Sequence, residues 1–282
     1  MKYGMNMLLH TFEVTAEHRG VLERIRKFGY DGVELPILGG VVPGYAATGK
    51  MLDEIGLERT AVTICTAATN PVSPKPEVRA AAVTSLKLAV DCADAAGARI
   101  LCGPMHSALG EFTGAGPTDQ EMMWCKDCLA EVADHAGTKG VVLALEALNR
   151  FECYMFTDVG SAAAFTRRIN HPNLRLMYDT FHANIEEASI DVAMTSAWDQ
   201  VSHVHISENN RATPGEGLVD WDATFRMLKE LKYDSWLTVE AFGFAIPQIA
   251  AATKIWRRMF SDPAYLEERA IDFLERNMGI VH

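Results

Sequence analysis

Short segments rich in β-branched residues alternate along this chain with longer segments of helical periodicity, and glycines follow many of the latter. Residues 59–65 are typical of a strand, residues 77–96 of an Ala-rich helix that ends at Gly97, and residues 99–102 of the next strand. This alternation favours parallel strands joined by helices, because a crossover between parallel strands needs a helix-length connection.

The alternation occurs eight times along the chain. The eight strands are predicted at residues 3–9, 32–35, 59–65, 99–102, 141–146, 174–179, 201–207 and 236–240. Helices are predicted at residues 15–28, 50–55, 77–96, 119–136, 158–169, 190–199, 220–231, 247–259 and 263–278. Eight units in 282 residues predict an α/β fold, a single (β/α)8 TIM-barrel domain over residues 1–282 with extra C-terminal helices. An open doubly wound sheet is the alternative.

The charge and the chain's N-terminus limit its partners and location. A net charge of −11 argues against nucleic acid and anionic membranes, which attract basic surfaces. The sequence shows neither a signal peptide nor a long apolar span, so we expect a soluble, cytoplasmic protein. The six cysteines are expected to be reduced. Cys125 and Cys128 form one C-x-x-C, and without a second pair they indicate two thiols on a helix rather than a zinc site.

A potential metal ligand stands at the end of each of the last four predicted strands. These residues are Glu146, Asp179, His205 and Glu240. They lie roughly 30 residues apart, which is the length of one strand–helix unit. Because the carboxyl ends of parallel strands in a barrel share one rim, and barrel enzymes keep their active sites there, we expect the four side chains to converge.

Three converging carboxylates would repel one another unless a cation lies between them. Oxygen-rich ligands with one imidazole suit Mn²⁺, Mg²⁺ or Co²⁺ better than a structural zinc site. Taken singly, a Glu at a strand end is usually solvated, and a lone His is usually hydrogen-bonded in the core or at the surface. Four at equivalent positions favour a metal site. His203, two residues before His205, is predicted to lie in the barrel interior or behind the ligands.

Four motifs in the second half of the chain resemble one enzyme family. They are Glu-Ala-Leu-Asn-Arg-Phe-Glu at 146–152, Asp-Thr-Phe-His-Ala-Asn-Ile-Glu-Glu at 179–187, His-Val-His-Ile-Ser-Glu-Asn-Asn-Arg at 203–211 and Val-Glu-Ala-Phe at 239–242. Together they resemble the ketose 3-epimerases, which act on D-tagatose, D-allulose (psicose) or L-ribulose and have the xylose isomerase-like barrel.

The resemblance implies a role for each of several residues. It implies that Glu146, Asp179, His205 and Glu240 bind one divalent metal, most often Mn²⁺, with Mg²⁺ or Co²⁺ possible, and that Glu146 and Glu240 are also the catalytic acid and base. It implies substrate-binding roles for Glu152, His182 and Arg211, at the end of a monosaccharide that carries O1, O2 and O3. Epimerisation at C3 through an enediolate and a homodimer or homotetramer are expected. Phe112, Phe242 and Cys65 are candidates for an apolar wall around the rest of the sugar.

Three other functions fit parts of this pattern. An isomerase of the same superfamily, acting on hydroxypyruvate or an inosose-type cyclitol, would keep the metal ligands without needing Glu152, His182 and Arg211. An endonuclease IV-like enzyme would need more histidine ligands and a basic rim, which the net charge of −11 opposes. A non-catalytic sugar-binding barrel would tolerate loss of a ligand, yet all four are present.

Overall fold

Eight parallel strands form a closed barrel in chain order in this computed structural model, which describes residues 1–279. The strands are β1 (Lys2–Asn6), β2 (Gly32–Pro36), β3 (Glu58–Val62), β4 (Ile100–Gly103), β5 (Val142–Glu146), β6 (Leu174–Asp179), β7 (Val201–Ile206) and β8 (Trp236–Val239). β1 pairs with both β2 and β8, so the sheet has no free edge. The predicted barrel is confirmed, and the open sheet is excluded.

Ten α-helices accompany the strands in the described residues. They are α1 (Arg19–Phe28), α2 (Val42–Ile55), α3 (Pro76–Ala96), α4 (Asp119–Lys139), α5 (Val159–Ile169), α6 (Thr180–Glu186), α7 (Ile190–Ala197), α8 (Trp221–Glu230), α9 (Pro247–Ala252) and α10 (Pro263–Met278). Between residues 1 and 279, the search for a helix with the length and hydropathy of a membrane span found none. Asp158 caps the N-terminus of α5, because its side chain accepts a hydrogen bond from the Ser161 N–H at 2.7 Å.

Helix α2 begins eight residues before the predicted start at residue 50. The breaker-rich sequence suggested a loop, but Pro43 lies in the first turn, where its missing N–H costs nothing. Gly49 is buried inside the helix and faces α3. A Cβ at this position would lie 2.5 Å from the Ala96 carbonyl oxygen. The glycine therefore lets two helices approach closely, and this tertiary contact outweighs its low helix propensity.

Replacing Gly49 by Ala is expected to lower the free energy of unfolding by about 1–3 kcal/mol, because the added methyl group must displace backbone. Gly20 in α1 is the matched control, since a Cβ there meets nothing within 4 Å. Gly20→Ala should be neutral or raise stability by up to about 1 kcal/mol. Urea unfolding of both variants measures the difference. A Gly49→Ala protein as stable as Gly20→Ala would contradict the close helix contact.

Two other boundaries differ from prediction near the carboxyl ends of the strands. Residues after β6 were expected in a loop, but α6 begins at once, because Asp179 Oδ1 accepts hydrogen bonds from the N–H groups of Phe181 (2.6 Å) and His182 (3.2 Å). Helix α9 was expected to reach residue 259 but ends at Ala252, and Lys254 then adopts a left-handed conformation with φ of 61°. The cap of α6 fixes His182 at the rim of the barrel.

The interior of the barrel holds both apolar and polar side chains. Val62, Cys102, Ala144 and Met177 pack together as a small buried cluster. Asn6, Glu34, Thr60, His203 and His205 are also buried, each at most 1% exposed. Buried polar groups need hydrogen-bond partners, so these polar side chains must bond to one another or to their neighbours. His203 lies in the barrel interior, as predicted.

Candidate active site

The four predicted ligands lie at one rim of the barrel. Glu146 and Asp179 are the last residues of β5 and β6, His205 is in β7, and Glu240 directly follows β8. All four are buried, with at most 6% of each residue exposed. Ionised carboxylates are expensive to bury unless they are paired or bind a cation. The rim therefore concentrates negative charge where water is largely excluded.

Ligand atoms from Asp179, His205 and Glu240 all lie within 4.8 Å of one another, a spacing that could hold a metal ion. The Nδ1 atom of His205 is 3.6 Å from Asp179 Oδ2 and 3.4 Å from Glu240 Oε1. Among the described residues, neither His205 Nδ1 nor Asp179 Oδ2 has a hydrogen-bond partner. Both atoms are buried, can offer a lone pair and lie 3.6 Å apart. A cation bound between them would satisfy both.

Glu146 joins the site through Asp179. Ligand atoms of Glu146, Asp179 and His182 form a second group within 4.8 Å of one another. Asp179 belongs to both groups, so the structure brings all four predicted ligands to one place, with three in one group and the fourth beside it. Since Asp179 Oδ1 caps α6, its Oδ2 is the oxygen available to a ligand.

The two glutamates of the site differ in proton affinity. Burial, together with the negative charges of Glu240 and Asp179, raises the pKa of Glu146 well above its ordinary value. Burial acts in the same direction on Glu240, but Arg211 and His205 outweigh it and lower the pKa of that carboxyl. Carboxyl groups whose environments separate their pKa values are typical of acid–base pairs. A divalent cation beside Glu146 would favour its ionised form.

His182 presents an N–H to the cavity. The backbone N–H of Asn149 donates to His182 Nδ1 at 2.9 Å. Burial lowers the pKa of His182 to about 3, and Arg211 adds to this, so the ring is neutral. With Nδ1 accepting, the ring hydrogen must be on Nε2. That atom is 3.4 Å from Glu146 Oε1 and 3.1 Å from Arg211 Nη2. Two nitrogen donors therefore lie side by side near Glu146, where an oxygen of a ligand could accept hydrogen bonds from them.

Arg211 is held in one orientation by contacts on every side. Its guanidinium carbon lies 3.6 Å from the centre of the Phe181 ring. Nη1 donates to Glu240 Oε2 at 2.5 Å and to Ser207 Oγ at 3.0 Å. The residue has a left-handed backbone with φ of 62° although it is not glycine. Backbone strain of this kind persists where the surroundings enforce it, often at binding sites.

A cavity opens above these groups, and its two sides differ in character. Glu146, Glu152, His182, Arg211 and Glu240 line one side. The other side is apolar and comes largely from loops in the first half of the chain, with Leu8, Phe12, Leu38, Val62, Ile64 and Leu109. Five of the seven predicted site residues therefore line one cavity, and Asp179 and His205 lie beside it in the group that could hold a metal ion.

Two of the three residues expected in the apolar wall of this cavity do not line it. Phe242 lines it as predicted, but Phe112 is 51% exposed and Cys65 is buried against the Met105 carbonyl, and neither contributes to the lining. Glu208, which belongs to the motif at 203–211, does not line the cavity. It points away instead, because its carboxylate accepts hydrogen bonds from backbone N–H groups of the following loop and from the Trp221 indole.

Sequence reasoning placed Glu34 on a strand and assigned it no role. In the structure its side chain is completely buried beneath the rim, and it contacts both His203 and His205. The sequence does contain a sign of this role, because Glu34 lies inside the otherwise apolar strand β2. A carboxylate buried in such a strand needs buried hydrogen-bond partners. The partners themselves lie on other strands and could not be identified locally.

Comparison with known proteins shows similarity over nearly the whole chain. The family model described as xylose isomerase-like TIM barrel matches residues 22–275. A ketose 3-epimerase of Arthrobacter globiformis is 31% identical over 100% of this chain and 98% of its own length. An L-ribulose 3-epimerase of Methylomonas sp. (strain DH-1) is 30% identical over 98% of this chain and 97% of its own.

Solved structures give the same result. The crystal structure of a D-allulose 3-epimerase from Methylomonas sp. in complex with D-allulose superposes with a TM-score of 0.92 and 29% sequence identity. The superposition covers 98% of this chain and 97% of the other. The fold is therefore shared over nearly the whole length of both chains.

Proposed function

Since this chain belongs to the xylose isomerase-like TIM barrel family, and within it to the ketose 3-epimerases, we propose that it interconverts free ketoses that differ in configuration at C3. The observation that carries the proposal is the pair of buried carboxyl groups, Glu146 and Glu240, which come from β5 and from the residue after β8 and line one cavity. Epimerisation requires two such groups, because a proton must leave one face of C3 and return to the other.

The proton at C3 of a ketose is acidic because it lies next to the C2 carbonyl. In our proposal one glutamate removes this proton. The electron pair of the C–H bond forms a double bond between C2 and C3, and the carbonyl electrons move to O2, which gives an enediolate. The other glutamate, in its protonated form, then donates a proton to the opposite face of C3, and the carbonyl re-forms. In the reverse direction Glu146 and Glu240 exchange roles.

The donor set suits a divalent cation held by Glu146, Asp179, His205 and Glu240. The unpartnered atoms His205 Nδ1 and Asp179 Oδ2 support this assignment. When bound, the cation would supply positive charge that stabilises the negative charge developing on the substrate's oxygens. Three carboxylates and one imidazole favour Mn²⁺, with Mg²⁺ and Co²⁺ as alternatives.

We further propose that Arg211, His182 and Glu152 orient the reacting end of the sugar. His182 Nε2 and Arg211 Nη2 lie 3.1 Å apart, and Nε2 is 3.4 Å from Glu146 Oε1, so a sugar oxygen bound beside them could accept a hydrogen bond from each nitrogen. Glu152 receives a hydrogen bond from the Asn149 amide at 3.0 Å and accepts additional donors from sugar hydroxyls. The remaining carbons of the ketose then lie along the apolar side of the cavity.

Removal of the metal is expected to lower the melting temperature, and Mn²⁺ should restore it, because a cation that binds only the folded state stabilises it. The effect is about 2.7 kcal/mol when free Mn²⁺ is 100 times its dissociation constant. Burial and neighbouring carboxylates raise the pKa of Glu146, so protons compete with the cation and Mn²⁺ affinity should fall as the pH falls. Calorimetric scans of EDTA-treated protein with added Mn²⁺ at several pH values measure both effects. A melting temperature that does not respond to Mn²⁺ would contradict the metal site.

Activity on a panel of ketoses tests the proposed reaction. The protein with Mn²⁺ is incubated with D-allulose, D-tagatose, D-fructose and L-ribulose, and products are identified by ¹³C NMR. We expect C3 epimers from at least one ketose, and no product after EDTA treatment. Conversion of a ketose to an aldose without the C3 epimer would favour an isomerase of the same superfamily instead.

The proposal also includes the number of domains and the oligomeric state. One domain over residues 1–282 is supported by strands of a single barrel from residue 2 to residue 239 and by α10, which packs against α1 and β1. A homodimer or homotetramer is expected, and sedimentation velocity would distinguish it from a monomer.

A further inference from the structure

Glu34 is the centre of a buried hydrogen-bond network directly beneath the proposed metal site. Its carboxylate is 0% exposed and accepts five hydrogen bonds. Asn6 Nδ2 (3.0 Å) and His205 Nε2 (2.7 Å) donate to Oε1, and Thr60 Oγ1 (2.9 Å), His203 Nε2 (2.8 Å) and Cys102 Sγ (3.2 Å) donate to Oε2. Nothing in the proposed reaction uses this carboxylate, yet burying it without partners would cost several kcal/mol.

The network determines which nitrogen of His205 faces the site. A carboxylate can only accept, so the contact at 2.7 Å requires a hydrogen on His205 Nε2. In the neutral ring Nδ1 then carries the lone pair. This is the atom that lies 3.4 Å from Glu240 Oε1 and 3.6 Å from Asp179 Oδ2 without a hydrogen-bond partner among the described residues.

We propose that Glu34 is the positioning residue of the metal site, fixing the ring orientation and tautomer of His205 so that Nδ1 binds the cation. This inference rests on the proposed function, because it concerns the same cation. Metal-binding histidines commonly donate their second N–H to a carboxylate, which holds the ring and increases the basicity of the binding nitrogen. Here the carboxylate comes from β2 and the histidine from β7, so the contact also spans the barrel interior.

The same residues could instead be read as a second metal site, since ligand atoms of Glu34, Cys102, His203 and His205 lie within 4.8 Å of one another. The hydrogen bonds argue against this. Both oxygens of Glu34 are already occupied by donors, and a cation there would face the N–H of His205 rather than a lone pair.

Replacing Glu34 by Gln tests the positioning role. Gln keeps the shape but turns one acceptor into an N–H₂ group that faces donors. His205 then loses its acceptor or takes the other tautomer, in which Nδ1 carries a hydrogen and cannot bind metal. We expect the dissociation constant for Mn²⁺, measured by titration calorimetry on the metal-free protein, to rise about 10- to 100-fold.

Thr60→Val is the matched control. It removes another donor to the same carboxylate, at Oε2, and keeps the side-chain volume without touching His205. We expect some loss of thermal stability and a Mn²⁺ affinity close to that of the unaltered protein. If Glu34→Gln binds Mn²⁺ as tightly as the unaltered protein, Glu34 has only a structural role and the inference is wrong. If the unaltered protein binds no Mn²⁺, both this inference and the proposed metal site fail.

A crystal structure of the unaltered protein with Mn²⁺ decides the question even if Glu34→Gln does not fold. Mn²⁺ on His205 Nδ1, with Nε2 still on Glu34, supports the inference. Mn²⁺ on Nε2, or a second Mn²⁺ held by Glu34 and Cys102, overturns it.

Discussion

Glu240→Gln is expected to reduce the rate of epimerisation by about 10²–10⁴-fold at saturating Mn²⁺, because an amide cannot take up or return the C3 proton. The fold should persist, since the Gln oxygen can still accept from Arg211, whose Nη1 lies 2.5 Å from Glu240 Oε2. Saturating Mn²⁺ is needed because the amide also weakens a proposed metal ligand. Measurement of kcat in both directions, with circular dichroism to verify the fold, checks the prediction.

The same variant gives a sharper result in heavy water. Glu146 remains able to exchange the proton on its own face of C3, so one epimer should incorporate deuterium while its partner does not. Glu146→Gln should show the opposite preference. Glu230→Gln is the matched control, because this glutamate lies on α8 with 58% of its side chain exposed and should leave kcat unchanged. If both epimers still exchange in Glu240→Gln, the two-carboxylate mechanism is wrong.

Arg211→Lys is expected to reduce kcat/KM by about 10²–10³-fold although the positive charge remains. This is the usual effect of removing one oriented hydrogen-bond donor to an oxygen that becomes negative during the reaction. The planar guanidinium of Arg211 stacks on Phe181 while its two terminal nitrogens reach Glu240 and His182. The compact ammonium group of a lysine cannot make all three contacts at once. The substrate oxygen would therefore lose one of its two donors. Steady-state kinetics on the best ketose of the panel measures the effect.

The control for this variant is Arg150→Lys. Arg150 also follows β5 near the rim, but its side chain is 64% exposed and pairs with Glu186 rather than with the cavity. Its replacement should change kcat/KM little, since exposed ion pairs contribute little. Equal effects of the two substitutions would indicate a general loss of positive charge rather than oriented donation.

The strand-end residues could be predicted because the repeat itself determines their position. In a parallel barrel, equivalent positions of successive strands must meet at one rim, so Glu146, Asp179, His205 and Glu240 could be grouped from spacing alone. The sequence did not show how these residues orient one another or their neighbours. One oxygen of Asp179 caps α6, which fixes the other oxygen at the site and places His182 at the rim. A sequence pattern does not distinguish a loop from such a short capped helix.

Contacts between distant strands account for what the sequence did not show. Glu34 contacts residues of β1, β3, β4 and β7, and no local periodicity relates these positions. The apolar side of the cavity likewise comes from several separate loops. Phe242 could be predicted because it is the last residue of a motif, whereas Leu38 and Ile64 lie outside the motifs and could not. Helix α2 was placed too late because the contact between Gly49 and Ala96 depends on two helices packing together.

The most direct test of the account is the position of proton exchange in heavy water. The unaltered protein with Mn²⁺ is incubated in D₂O with the ketose that it converts most rapidly, and ¹H NMR follows the signals of C1 and C3. The account predicts that deuterium enters at C3 as the epimer forms, because protons on Glu146 and Glu240 exchange with solvent, while the C1 protons remain. Loss of the C1 signal with an intact C3 signal would contradict C3 epimerisation and indicate an aldose–ketose isomerase.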